Sequence, residues 1–294
     1  MIATNHADGA RRLAVVLGLL LTAGCQSDLL RGSERAPAAN AAATPVDPVG
    51  AEANLTSLTA VINQNPRDAS AYNVRGTAFG KAGRYQDALA DFNRAIQLNP
   101  AFYQAYANRA LIERQMGRDD LAFTDLNRAI EANPDYALAY TERGNLYRKQ
   151  GKFDLALQDL NTALTLSPSD PHALDNRGLL QQSLGNHREA IQDFSAAIAG
   201  GTADGAPFDD RGLSYLATGQ YQAALADFSE AVKRDPGLYD AWANLGLAEE
   251  KLGNRTSAYN AFARAAALSP RYQPAVDGMR RNQSAAPTGV AQAR

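Results

Sequence analysis

Prolines at 66, 100, 134, 168, 236 and 270 stand 34 residues apart, or twice 34 where Thr202 follows Gly200 and Gly201. This period constrains the chain more than any other feature. A sequence that repeats at such a length folds as a stack of like units, because each unit is too small to bury its apolar face except against its neighbours. The period overrides the two ordinary domains that 294 residues would otherwise suggest. Six full repeats result: 69–102, 103–136, 137–170, 171–204, 205–238 and 239–272.

The aligned columns each carry a physical task. The fourth place reads Tyr72, Tyr106, Tyr140, Leu174, Phe208 and Trp242, and the twenty-fourth reads Phe92, Leu126, Leu160, Phe194, Phe228 and Phe262. These large side chains fill the space between neighbouring repeats. Small residues at the eighth place (Gly76 and Ala110 among them) and alanine at the twentieth, from Ala88 to Ala258, let two antiparallel helices approach closely. Glycine at the fifteenth place, from Gly83 to Gly253, stops the first helix and permits a left-handed turn into the second. Proline ends the second helix by biasing the residue before it away from the α region.

This pattern resembles the tetratricopeptide repeat over residues 69–272. The resemblance implies an all-α, right-handed solenoid of six helix-turn-helix repeats with flanking cap helices. Residues 51–68 are expected to form an N-terminal capping half-repeat, with Leu58, Val61 and Pro66 in the matching columns. Residues 273–282 are expected to form a short C-terminal cap, and residues 283–294 a disordered tail. Gly200-Gly201 predicts an early helix stop and a soft joint between repeats four and five.

One pair of columns is charged. The seventh place holds Arg75, Arg109, Arg143, Arg177 and Arg211, then Leu245, while the twenty-third holds Asp91, Asp125, Asp159, Asp193 and Asp227, then Ala261. The two columns change together, which favours an ion pair inside each repeat over a row of arginines for an anionic ligand. Pairing within the repeat also leaves no charge unpartnered, whereas pairing to the previous repeat would set Arg75 against Ser57 and Asp227 against Leu245.

The first segment reads as an address. Arg11 and Arg12 precede nine apolar residues, Leu13–Leu21, too short a run to cross a bilayer core of ~30 Å. Basic residues, a short apolar run and a small-residue end make a secretory signal, expected to span residues 1–24. Leu21-Thr22-Ala23-Gly24-Cys25 resembles the lipobox of bacterial lipoproteins, which implies lipid attachment (palmitate included) on Cys25 as the mature N-terminus. Gln26 rather than aspartate after that cysteine implies, by the same resemblance, sorting to the periplasmic face of the outer membrane. Residues 25–50, rich in alanine and proline, are expected to be a disordered tether.

Composition argues against catalysis and nucleic acid. Lys+Arg 29 against Asp+Glu 31 gives a net charge of -2, without the basic surplus that nucleic-acid binding needs. One cysteine excludes an intrachain disulfide or a thiolate metal cage. His187 takes a place held elsewhere by Tyr85, Phe153 and Tyr221, and His172 lies in a turn. Neither joins a triad, and the glycines near 200 lack the lysine and strand of a phosphate loop. No catalytic residue, metal or cofactor is assigned.

What remains is the concave face. By the family resemblance, the second, fifth, sixth, ninth and twelfth places of each first helix point into a groove that holds extended or helical peptides. These places include Asn108, Arg114, Asn145, Arg148, Asn176, Leu179, Asp209, Asp210, Leu213, Leu216, Asp240 and Asn244. Asparagine both donates to and accepts from a peptide backbone. The row runs from basic at Arg114 and Arg148 to acidic at Asp209, Asp210 and Asp240. The chain as a whole resembles outer-membrane tetratricopeptide lipoproteins of the NlpI type, which implies a periplasmic scaffold whose partners are envelope proteins or peptides, with a homodimer left open. A pilotin-like or Tad-like assembly factor for a pilus or secretion system is the alternative. A direct peptidoglycan binder is the third reading, disfavoured because most aromatics fall in packing columns.

Overall fold

The structure is a computed structural model and describes residues 48–201 and 204–285. The signal segment, Cys25, the tether up to residue 47 and the end of the tail from residue 286 lie outside the described residues. Every regular element among the described residues is helical. The first helix, α1 (Pro48–Gln64), precedes six antiparallel pairs. These are α2 (Ala69–Lys81) with α3 (Tyr85–Leu98), α4 (Tyr103–Gln115) with α5 (Asp119–Ala132), and α6 (Ala137–Lys149) with α7 (Phe153–Leu166). The series continues with α8 (Pro171–Ser183) and α9 (His187–Ala199), α10 (Ala206–Ala217) and α11 (Tyr221–Arg234), and α12 (Tyr239–Lys251) and α13 (Arg255–Leu268). A last helix, α14 (Gln273–Arg281), and a 3-10 turn at Gln283–Ala285 follow.

The helix ends follow from local chemistry. The glycine between the two helices of each pair has φ between 71° and 84°, a left-handed conformation that a side chain would strain. Each second helix followed by proline ends on an extended residue, such as Asn99 (φ −138°, ψ 94°) before Pro100. At the joint without proline, Gly200 stays in the helical region (φ −70°, ψ −3°) and Gly201 turns the chain at φ 92°. There α9 ends at Ala199, one residue short of its counterparts, and α10 starts at the second place of its repeat. Two boundaries differ from those expected. The helix α1 already begins at Pro48, inside the stretch assigned to the tether, because proline suits the first helical position, where no N–H is needed. The 3-10 turn likewise extends the ordered C-terminal end past residue 282.

The core is a column of repeated contacts. The twentieth- and twenty-seventh-place alanines are buried in all six repeats, as are Phe92, Leu126, Leu160, Phe194, Phe228 and Phe262. A Cβ on Gly212 would meet Phe228 Cε1 at 2.6 Å, so the eighth place must be small for the ring to lie across it. Each first helix also touches the first helix of the next repeat, so the first helices line the inner side of the curve and the second helices its outer side. In α1, Leu55 and Ile62 are buried against the first repeat, whereas Val61 is 48% exposed because no described helix packs on that side.

Candidate peptide-binding groove

The walls of the groove are held in place by the charged columns. In each of the first five repeats the arginine donates from Nε and Nη2 to both oxygens of its own repeat's aspartate, at 2.5 to 2.9 Å. Such parallel double contacts fix direction as well as distance. The aspartates are 7 to 10% exposed at the side chain and the arginines 17 to 28%. The hydrogen bond to aspartate, partly offset by burial, raises each arginine above its already basic ordinary pKa.

A third contact was not foreseen. The remaining nitrogen, Nη1, donates back to the preceding repeat: Arg75 to Thr59 Oγ1 at 3.1 Å, Arg109 to Asn93 at 2.6 Å, Arg143 to Asn127 at 2.8 Å, Arg177 to Asn161 at 2.9 Å and Arg211 to Ser195 Oγ at 3.0 Å. Each guanidinium therefore straps three helices together, and aromatic rings flank it where the fourth or eleventh place supplies one, as Tyr140 and Tyr147 do for Arg143. The signal lay in the twenty-fifth column, which carries an acceptor wherever an arginine follows. In the last repeat Leu245 and Ala261 replace the pair, and Ser229 donates to its own helix at Leu225 O, 2.7 Å away.

The inner row is largely self-paired. Asn108 Nδ2 donates to Asn73 Oδ1 of the previous repeat at 3.0 Å, Arg114 pairs with Glu142, and Arg148 donates to Asn145 at 3.1 Å. Asn176 donates to His172 O of its own helix at 2.9 Å, and Leu179 is half-buried. Gln182 reaches the carbonyl of Asp210 at 2.9 Å and Ser214 Oγ at 3.0 Å. Five of the expected groove residues are buried instead of lining an open wall. Asp209, Leu213 and Asn244 are buried, with Asn244 Nδ2 donating to Asp209 Oδ1 at 3.0 Å. The Asn244–Asp209 contact joins α10 to α12 through the same sixth- and fifth-place pair that links Asn108 to Asn73, so these side chains serve the packing of neighbouring first helices. Leu216 and Asp240 are buried as well.

Two local fields mark the row. Reduced hydration and then Arg114, with Arg148 behind it, pull the Lys149 ammonium below the usual lysine value. Burial first, then Asp240, push the Tyr272 hydroxyl up to about 12, with Asp209 adding to the effect. Burial lowers His187, which fills a packing position at the start of α9. Among the described residues no group of three His, Cys, Asp or Glu side chains could hold a metal ion, and no helix is long and apolar enough to cross a membrane.

Paired antiparallel helices, left-handed glycine turns and an inner row of first helices define a helical-repeat scaffold. Models of the tetratricopeptide repeat match residues 69–102 and 210–272, and a TPR repeat model matches 110–150 and 144–185. Together they span more than half of the sequence, and the chain belongs to the tetratricopeptide-repeat family.

No curated protein matches the sequence. Among solved structures, a chain of the APC/C hetero-tetramer Cut9-Hcn1 is similar with a TM-score of 0.72 at 18% identity, covering 78% of this chain. The match spans only 45% of that longer chain. PilF of Pseudomonas aeruginosa (TM-score 0.65, 16% identity) is similar over 75% of this chain and 99% of its own. PilW, a type IV pilus biogenesis factor (TM-score 0.63, 20% identity), is similar over 71% and 97%. These are likenesses of fold.

Proposed function

We propose that the chain is a membrane-anchored scaffold of the bacterial envelope, of the NlpI type, that docks envelope proteins or peptides through its concave row of first helices. The observation that carries the docking role is the strapped groove. Five guanidinium contacts fix three helices each, so the inner row presents a preset surface at little ordering cost on binding. Half-buried Asn176 and Leu179 offer an amide and an apolar contact at its middle. The anchoring part rests on Arg11, Arg12, the apolar run after them and Cys25. Lipid on that cysteine and a tether through residue 47 would hold the solenoid at the periplasmic face of the outer membrane.

The reading is tested on the full chain in its own cells. Affinity isolation from detergent-solubilised envelope should recover protein partners that Leu179→Arg loses while keeping its helical circular dichroism; recovery unchanged by that variant would refute docking at the groove. Cys25→Ser should appear as unprocessed precursor or as soluble protein on fractionation, and processed mutant protein that still sediments with membranes would refute the lipid anchor. A second reading, an assembly factor for a pilus or secretion system, takes its support from PilF and PilW, which cover nearly the whole of their own length. Pilus components among the isolated partners would select it.

A further inference from the structure

The inner row has hydrogen-bonding groups left over, and they are mostly donors. Asn73 on α2, Asn108 on α4, Asn145 on α6 and Asn176 on α8 place one half-buried amide on each of four consecutive first helices. Asn73 Oδ1 accepts from Asn108 Nδ2 at 3.0 Å, which engages the first oxygen and one of the two protons on the second nitrogen. Asn145 Oδ1 accepts from Arg148 at 3.1 Å. A guanidinium only donates, so the orientation of this amide is fixed and both protons on Asn145 Nδ2 remain unused among the described residues. Asn176 gives one proton to His172 O at 2.9 Å, and a carbonyl only accepts, so its orientation is fixed as well. Among the described residues each of the four amides therefore keeps at least one N–H for an outside acceptor, whereas two of the four oxygens are already engaged. On α4 and α8 the amide stands one turn from a half-buried leucine on the same face, Leu111 after Asn108 and Leu179 after Asn176. Val74, beside Asn73, is 48% exposed.

We propose that the groove takes a proline-rich segment in the polyproline II conformation, its main-chain carbonyls accepting from this amide row and its rings lying against Val74, Leu111 and Leu179. This rests on the groove reading above and adds the class of ligand to it. Two features of that conformation match the row. The first is its period. Neighbouring helices pack ~9 Å apart, and a polyproline II segment with three residues per turn advances about 9.3 Å per turn. Carbonyls on one side of the ligand therefore recur in step with the first helices. An extended β-strand presents the same side every ~6.6 Å and falls out of step. The second feature is bonding. A polyproline II segment makes no internal hydrogen bonds, so its carbonyls are open, and proline removes N–H groups that would call for acceptors. A donor-rich row suits such a ligand, whereas an α-helix has already engaged most of its carbonyls. Four first helices span roughly 27 Å, the length of about nine residues in this conformation. The conformation is also preformed in water, so little order has to be imposed on binding.

The test uses the full mature chain in detergent and two uncharged synthetic peptides of about twelve residues, long enough to cross the four helices. One is built from proline and alanine, the other from alanine, glycine and serine, and each carries a fluorophore and a central photoreactive group. The proline-rich peptide should bind about tenfold more tightly than the other and should label α4, α6 or α8. The double variant Asn145→Ala, Asn176→Ala should weaken that binding about tenfold, because each change removes a hydrogen bond of modest net value. Its helical circular dichroism should stay unchanged. Equal affinity for the two peptides with the inner row labelled, or a double variant that binds as the parent does, would overturn the polyproline II selection and leave docking at the groove standing. Absence of binding by the proline-rich peptide would overturn the selection too, and docking is then decided by the envelope isolation with Leu179→Arg. Labelling confined to the outer helices would overturn both.

Discussion

A half-buried arginine held between helices is stable only when each of its directions is answered, and Arg143 shows how the repeat does this. Two nitrogens meet Asp159, a third meets Asn127, and Tyr140 and Tyr147 flank the planar group. Removing only the cation strands a carboxylate that is 7% exposed. Arg143→Leu should therefore lower stability by roughly 3 kcal/mol in urea denaturation, and adding Asp159→Ala should restore part of the loss. The protein already uses Leu245 with Ala261, so the doubly substituted site has an internal precedent. A purely additive double variant would mean that the pair carries no coupling. The pairing was legible in the sequence because two columns change together. The back contact was equally legible in Thr59, Asn93, Asn127, Asn161 and Ser195, but a column of mixed polar residues draws no notice until the guanidinium is seen to have a nitrogen to spare.

Helix ends were the more readable part of each element, since proline and left-handed glycine act through the backbone and need no tertiary context. Burial along α10 was not readable in the same way. Its fifth and ninth places, Asp209 and Leu213, face inward by analogy with other repeats, yet both are buried in the stack. The joint at Gly200-Gly201 supports a prediction about dynamics. Neighbouring second helices are stopped by an extended residue before Pro134 or Pro168, whereas α9 is stopped by two glycines, which lose more freedom on ordering. Arg211 reaching Ser195 at 3.0 Å is the strap that crosses this joint. Backbone amides at residues 199–201 should exchange roughly tenfold faster than those at 132–133 and 166–167 in hydrogen-exchange mass spectrometry or NMR. Equal protection at the three junctions would remove the joint from the account.

At the scale of the whole molecule, the straps turn a stack of nearest-neighbour contacts into a continuous wall from α1 to α11. The outer second helices carry the aspartates that anchor the straps, and the inner first helices carry a largely self-paired polar row. The solenoid itself followed from a 34-residue period, because a repeat specifies its own neighbours. The partner does not follow, because a groove of amides and short ion pairs accommodates many sequences. The measurement that bears most directly on docking through the inner face is photo-crosslinking in living cells. A photoreactive residue replaces either Asn176 on the inner row of α8 or Leu121, which is 50% exposed on the outer helix α5. Docking through the groove predicts discrete protein adducts from position 176 and none from position 121. Adducts from position 121 with none from position 176 would place the working surface on the outer helices and contradict it.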